Sequence, residues 1–82
     1  MTLHVIYTGH GIYLSKQIYS SWKEIQEEYC DYKTSLGPWS PEEVIEYLND
    51  EYSDLTPSAE QQVSMFIQSM HLAHELKYRS ST

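Results

Sequence analysis

The chain has 82 residues, with 12 Asp plus Glu against five Lys plus Arg and a formal net charge of −7. That length allows one domain, residues 1–82, with a modest core. That charge argues against direct binding of nucleic acid or of an anionic membrane, because both need a basic surface.

Taken in chain order, Leu3-His4-Val5-Ile6-Tyr7-Thr8 is β-branched and aromatic and reads as a strand. Gly9-His10-Gly11 follows, and then Ile12-Tyr13-Leu14-Ser15-Lys16. A two-residue loop at Gly9-His10 pairs Tyr7 with Ile12 and Val5 with Leu14. Strand side chains alternate, so Leu3, Val5, Tyr7, Ile12 and Leu14 share the core face, and His4, Ile6, Tyr13 and Ser15 fall on the other.

A first helix is predicted from Ser21, where Ser and Glu24 form a capping box, to Gly37-Pro38. Trp22, Ile25, Tyr29, Tyr32 and Leu36 recur on one face of it. Ser40-Pro41-Glu42-Glu43 opens a second helix with a second box and an apolar stripe of Val44, Leu48, Tyr52 and Leu55, with Ile45 beside it. A third helix starts near Thr56-Pro57-Ser58 and runs to about Tyr78. Ala59, Val63, Phe66, Met70 and Ala73 line one face, with Met65, Leu72 and Leu76 on the flank. So wide an apolar arc packs on two sides, which sets a homodimer through helix three level with a monomer. The expected fold is α+β: an N-terminal β-hairpin followed by three α-helices packed on one sheet face, in the order ββααα.

Eleven of the 12 carboxylates lie between Glu24 and Glu60, with only Lys33 inside that span and Lys23 just before it. On the second helix Glu43, Glu46, Asp50 and Asp54 step by three and four, away from Val44 and Leu48. Four helical residues rise about 6 Å, which approaches the spacing of phosphates along one nucleic-acid strand. Glu24, Glu27, Glu28 and Asp31 add an acidic strip on the first helix. Tyr32, Trp39, Tyr47 and Tyr52 lie among the acids, and exposed aromatics supply the anchoring that charge alone lacks. The alternative is a solvated acidic face that serves only solubility.

The stripe of Glu43, Glu46, Asp50 and Asp54 on a short, acidic, Cys-poor chain resembles, at class level, the small phage-encoded inhibitors of bacterial defence: anti-CRISPR and anti-restriction proteins, including DNA mimics. These share a style and no motif, so the resemblance assigns no residue roles. A second pattern is Gly11, Ile18-Tyr19-Ser20-Ser21-Trp22-Lys23-Glu24, Tyr32-Lys33 and Glu42-Glu43. It is similar to the N-terminal, viroplasmin-like hybrid-binding domain of RNase H over roughly half the chain. The Gly-to-Ile spacing is longer here and the phosphate-holding basic residues are missing. That resemblance therefore implies a related sheet-and-helix fold without the binding activity.

Signatures of chemistry are few. His71 and Glu75 are four apart and would share a helical face, with His74 between them, yet nothing nearby completes a metal site. Cys30, the one cysteine, excludes an intrachain disulfide and a Cys-based zinc site, and reads as a small buried hydrophobe. Gly9-His10-Gly11 lacks the helix and Lys of a phosphate loop. Carboxylates on a helix surface form no cleft for acid–base work. No catalytic residue, metal or cofactor is expected.

The resulting expectation is a protein-binding inhibitor of a nucleic-acid-binding enzyme, such as a CRISPR-Cas or restriction complex. It would occupy the partner's basic groove through Glu43, Glu46, Tyr47, Asp50 and Asp54, with Glu24, Glu27, Glu28 and Asp31 in support. The alternative is a dimeric regulatory or adaptor protein joined through helix three; a third possibility adds the hairpin edge to a partner's sheet, with Ile6 and Tyr13 as the contact. No stretch approaches the roughly 20 apolar residues of a membrane span, and Met1–Tyr7 does not read as a signal peptide. The setting expected is cytoplasmic, in the host if the chain is viral.

Overall fold

The computed structural model describes residues 1–78, in which seven elements follow one another: β1 (Leu3–Thr8), β2 (Ile12–Ser15), α1 (Trp22–Glu28), β3 (Tyr32–Trp39), α2 (Pro41–Glu51), α3 (Ala59–Gln68) and β4 (Ala73–Glu75). The hairpin forms in the expected register, with Tyr7 opposite Ile12 and Val5 opposite Leu14. Thr8 holds its turn. The Thr8 hydroxyl donates to the Gly11 carbonyl at 2.9 Å and accepts from the N–H groups of His10 and Gly11, each at 3.1 Å.

The fold is α+β, with three helices and a four-stranded antiparallel sheet in the order β3-β1-β2-β4. Two segments read as helix are strands, so the ββααα order is corrected to ββαβααβ. The first helix stops at Glu28 rather than at Gly37-Pro38. Residues Tyr32–Trp39 instead pair with the outer edge of β1. Tyr29, Tyr32 and Leu36 matched a helical period by spacing alone. Thr34, Ser35, Gly37 and Pro38 are poor helix formers, and Pro is tolerated on a sheet edge. Between Leu3↔Trp39 and Val5↔Leu36, β3 carries one residue more than β1, a bulge that takes up Gly37 and Pro38.

The third helix also ends early, at Gln68. Residues 73–75, expected in its last turns, form β4 against β2, with Lys16 N–H bonded to Leu72 and Leu76 N–H to Ile12. The stop is marked by Lys16. Its ammonium donates to the carbonyls of Phe66 and Ser69, both at 2.7 Å, and lies 4.6 Å from the Phe66 ring centre. A cation on the last carbonyls of a helix meets its negative end and its unpaired acceptors together. Met70, assigned to a buried helical face, is 99% exposed as a result.

Helices cover both faces of the sheet, which corrects the placement of all three on one. On one face Leu3, Val5, Ile12 and Leu14 pack with Val44 and Leu48 of α2, with Ala59, Val63 and Phe66 of α3, and with Leu76. Each such aliphatic contributes about 1.5–3 kcal/mol on burial. The opposite face carries His4, Ile6, Tyr13 and Ser15. Ile6 there is fully buried and Ile25 of α1 nearly so, and neither belongs to the main core. Tyr19 meets His4 edge-on at 5.1 Å, and Tyr29 meets Tyr13 at 5.3 Å. Because β1 and β2 are both interior strands, no hairpin edge is free. With Ile6 buried, the sheet-addition mode through Ile6 and Tyr13 is overturned.

Two substitutions probe these joints. Gly37 has φ +113°, and a Cβ there would lie 2.6 Å from the Leu3 carbonyl oxygen. Gly37→Ala is expected to cost at least about 2 kcal/mol in urea unfolding. Lys16→Met is expected to cost about 1.5–3 kcal/mol and to speed amide exchange at the end of α3 and in β4 before the rest of the sheet.

Candidate partner-binding site

Helix α2 begins as its sequence dictates. The Ser40 hydroxyl accepts from Glu43 N–H at 3.2 Å, and the Glu43 carboxylate accepts from Ser40 N–H at 3.0 Å, with Pro41 at the first helical position. Because Val44 and Leu48 face the sheet, the other side of α2 is turned outward, and Glu42, Glu43, Glu46, Asn49, Asp50 and Glu51 are all exposed. Glu43, Glu46 and Asp50 line an open groove of about 290 Å³ together with Trp39 and Tyr47.

The aromatic wall of that groove is anchored. Trp39 and Tyr47 meet edge-to-face with ring centres 5.3 Å apart. The Tyr47 hydroxyl bonds to that of Tyr7, and Tyr52 donates to Tyr7 at 3.0 Å. Burial, followed by these two hydroxyl bonds, holds the Tyr7 phenol well above the usual tyrosine range, so Tyr7 stays neutral. Across α2, Glu42, Glu46 and Asp50 approach Glu60 of α3 around a shallow depression with Ile45, Asn49 and Ser64. Among the described residues the one ion pair is His10–Asp31, so the α2 carboxylates have no cationic partner there.

The nine residues read as a partner surface therefore separate. Glu43, Glu46, Tyr47 and Asp50 come together. Asp54 follows the C-cap Tyr52 and lies outside α2 and its groove. Glu24, Glu27, Glu28 and Asp31 belong to α1 and the turn after it, on the opposite face of the sheet. Three of these four are engaged locally. Glu24 accepts from Ser20 N–H at 2.6 Å, one residue earlier than a capping box requires, and Ser21 makes no side-chain cap. Glu28 accepts from the Tyr19 hydroxyl at 3.0 Å. Asp31 is bonded to His10, which holds its carboxyl below the usual range. Of the aromatics, Trp39, Tyr47 and Tyr52 are half-buried rather than free, and Tyr32 bonds Ser35 at 3.0 Å on the α1 side.

Other candidates change too. Cys30 is exposed in the turn between α1 and β3, not buried. His71 and Glu75 share no helical face: His71 lies in the loop between α3 and β4, and Glu75 is in β4 with its carboxylate against Gly11. Among the described residues no three His, Cys, Asp or Glu side chains are close enough to hold a metal ion. The residues carrying the second resemblance fall in the hairpin turn at Gly11, just before and within the start of α1, at the start of β3 and in the first turn of α2.

Sequence reasoning passed over Gln62. It is 2% exposed, and it was legible as a polar residue between Ala59, Val63 and Phe66 on the apolar stripe of α3. Comparison of the chain with protein-family models, with curated proteins and with solved structures finds no match.

His4 and His74 supply a test of pH dependence. Burial lowers both below the ordinary histidine value of 6.5, and the neighbouring Lys77 lowers His74 further. The His4 Nδ1 is buried without a hydrogen-bond partner among the described residues. On acidification the unfolded chain takes up these protons first. Stability is therefore complete above about pH 6.5 and is lost as pH falls from there through the lower folded values. Thermal melts between about pH 7.5 and 5.5 should show this loss, and His4→Leu should reduce it.

Proposed function

We propose that this chain is a protein-binding inhibitor that inserts the acidic side of α2 into the Lys/Arg groove of a nucleic-acid-binding protein, such as a CRISPR-Cas or restriction complex. The observation that carries the reading is the groove where Glu43, Glu46 and Asp50 stand beside Trp39 and Tyr47 with no cation paired to them among the described residues. Uncompensated carboxylates on a rigid helix steer a basic partner over long range. A half-buried aromatic pair, fixed by the Tyr47 hydroxyl bond to Tyr7, contributes contact area at small entropic cost. The class resemblance to small acidic inhibitors of bacterial defence agrees with this chemistry.

The contact surface is narrower than the charge count suggests. It comprises Glu43, Glu46, Tyr47 and Asp50, with Trp39 added; the acids of α1 would face away from a partner docked on α2. The likeness to the hybrid-binding domain of RNase H is carried as a likeness of fold. Lys16 is committed to the end of α3, and Lys23 and Lys33 stand among carboxylates, so no phosphate-binding surface follows from it.

A dimeric adaptor is the second reading. Met65, Met70 and Leu72 are 66%, 99% and 59% exposed at and beyond the C-terminal end of α3, where a second copy would cover them. The arc that would associate is that corner, not the long two-sided helix expected from the sequence.

The two readings separate in one pair of measurements. Partner captured from a bacterial lysate should bind the wild-type chain with an affinity that falls steeply with salt. The double variant Glu46→Lys, Asp50→Lys should lose at least about a hundredfold by calorimetry while keeping its circular dichroism. Undiminished binding by that variant would remove the polyanion reading. A salt-insensitive, concentration-dependent dimer in sedimentation, with no basic partner recovered, would replace it with the adaptor.

A further inference from the structure

We infer that the cavity at the corner of α3 and β4 is a binding site for a small aromatic carboxylate, independent of the acidic groove on α2. The cavity measures about 310 Å³, and its walls include Pro57, Met65, Phe66 and Ala73. That is the lower end of the range for small-molecule pockets, which are mostly apolar with a few fixed polar groups. A single ring or a fused pair suits such a space.

The walls are held before any ligand arrives. The Gln62 amide donates to the carbonyls of Pro57 at 2.7 Å and Lys77 at 2.9 Å, and its oxygen accepts from Lys77 N–H at 2.9 Å. With the amide orientation set by those three backbone groups, the same oxygen takes the His74 Nε2–H at 3.1 Å. His74 is thereby fixed in tautomer and position, and its ring stacks on Phe66 with centres 5.8 Å apart. The segment before α3, α3 itself and the end of β4 are thus joined around the cavity by one buried side chain.

The charge of the site sets the class of ligand. The two depressions beside α2 are lined by three and by four carboxylates. The α3–β4 cavity is lined by none; its titratable groups are His71, His74 and Lys77. In a chain with 12 carboxylates, this is a concave surface from which acids are excluded. Glu75, the nearest in sequence, is turned to Gly11 on the other side of the sheet. Lys77 is exposed and has no ion pair among the described residues. An apolar ring against Phe66 and Met65 would place its carboxylate at Lys77, where a charge-assisted bond is available.

The test is a titration of ¹⁵N-labelled chain with indole-3-carboxylate, followed by amide NMR, with indole-3-carboxamide as the uncharged match. The acid should shift Met65, Ala73, His74 and Lys77 and saturate in the millimolar range. The amide should bind at least about tenfold more weakly. Lys77→Gln should weaken the acid by about fivefold and leave the amide unchanged. Met65→Ala, which removes an apolar wall of the cavity, should weaken both. Absence of shifts at these four residues, equal affinity for acid and amide, or binding of the acid untouched by Lys77→Gln would overturn the assignment. Lys77 and Met65 are both exposed, so neither substitution threatens the fold.

Discussion

Each strand of the hairpin has an outer row of backbone N–H and C=O groups, and most of the architecture is the consequence of pairing those rows. Buried backbone groups left without partners are costly. A lone hairpin with one face covered would leave both rows and the second face to water. Residues 32–39 supply one row and residues 73–75 the other, and this draws both segments out of the helices that local periodicity favoured. Once β3 is in place, the chain between it and β2 is forced across the remaining face, where α1 closes over Ile6.

Legibility followed the range of the interactions involved. The hairpin and its register, the Ser40 capping box and the start of α3 at Ser58 rest on neighbours within a few residues, and all were readable. The strand identity of 73–75 was not. Met70, Leu72, Ala73, Leu76 and Lys77 are good helix formers, and propensity worth tenths of a kcal/mol per residue yields to a ladder and a core contact at Leu76. The decisive partner, Lys16, lies some fifty residues away and gave no local sign. The candidate site fared in the same way. Glu43, Glu46, Tyr47 and Asp50 were legible because they share one real helix. Asp54 was lost when that helix ended at Glu51, and the acids of α1 were lost to the far face of the sheet.

The sheet thus divides the negative charge into two unequal roles. On the α1 side carboxylates serve as local acceptors, for Ser20 N–H, for the Tyr19 hydroxyl and for His10. On the α2 side Glu46 and Asp50 hold no such partner, and mutual repulsion there opposes folding slightly. A basic partner would relieve that repulsion on docking, so the same charges that weaken the free chain would strengthen a complex.

The late position of residues 73–76 has a consequence for biogenesis. As the chain leaves the ribosome, β1, β2 and then β3 can assemble while the outer edge of β2 still waits for a strand some sixty residues further along. Until that strand emerges, the edge is a template for another nascent chain, and Lys16, later fixed at the end of α3, stands beside it as a solvated charge that discourages such pairing.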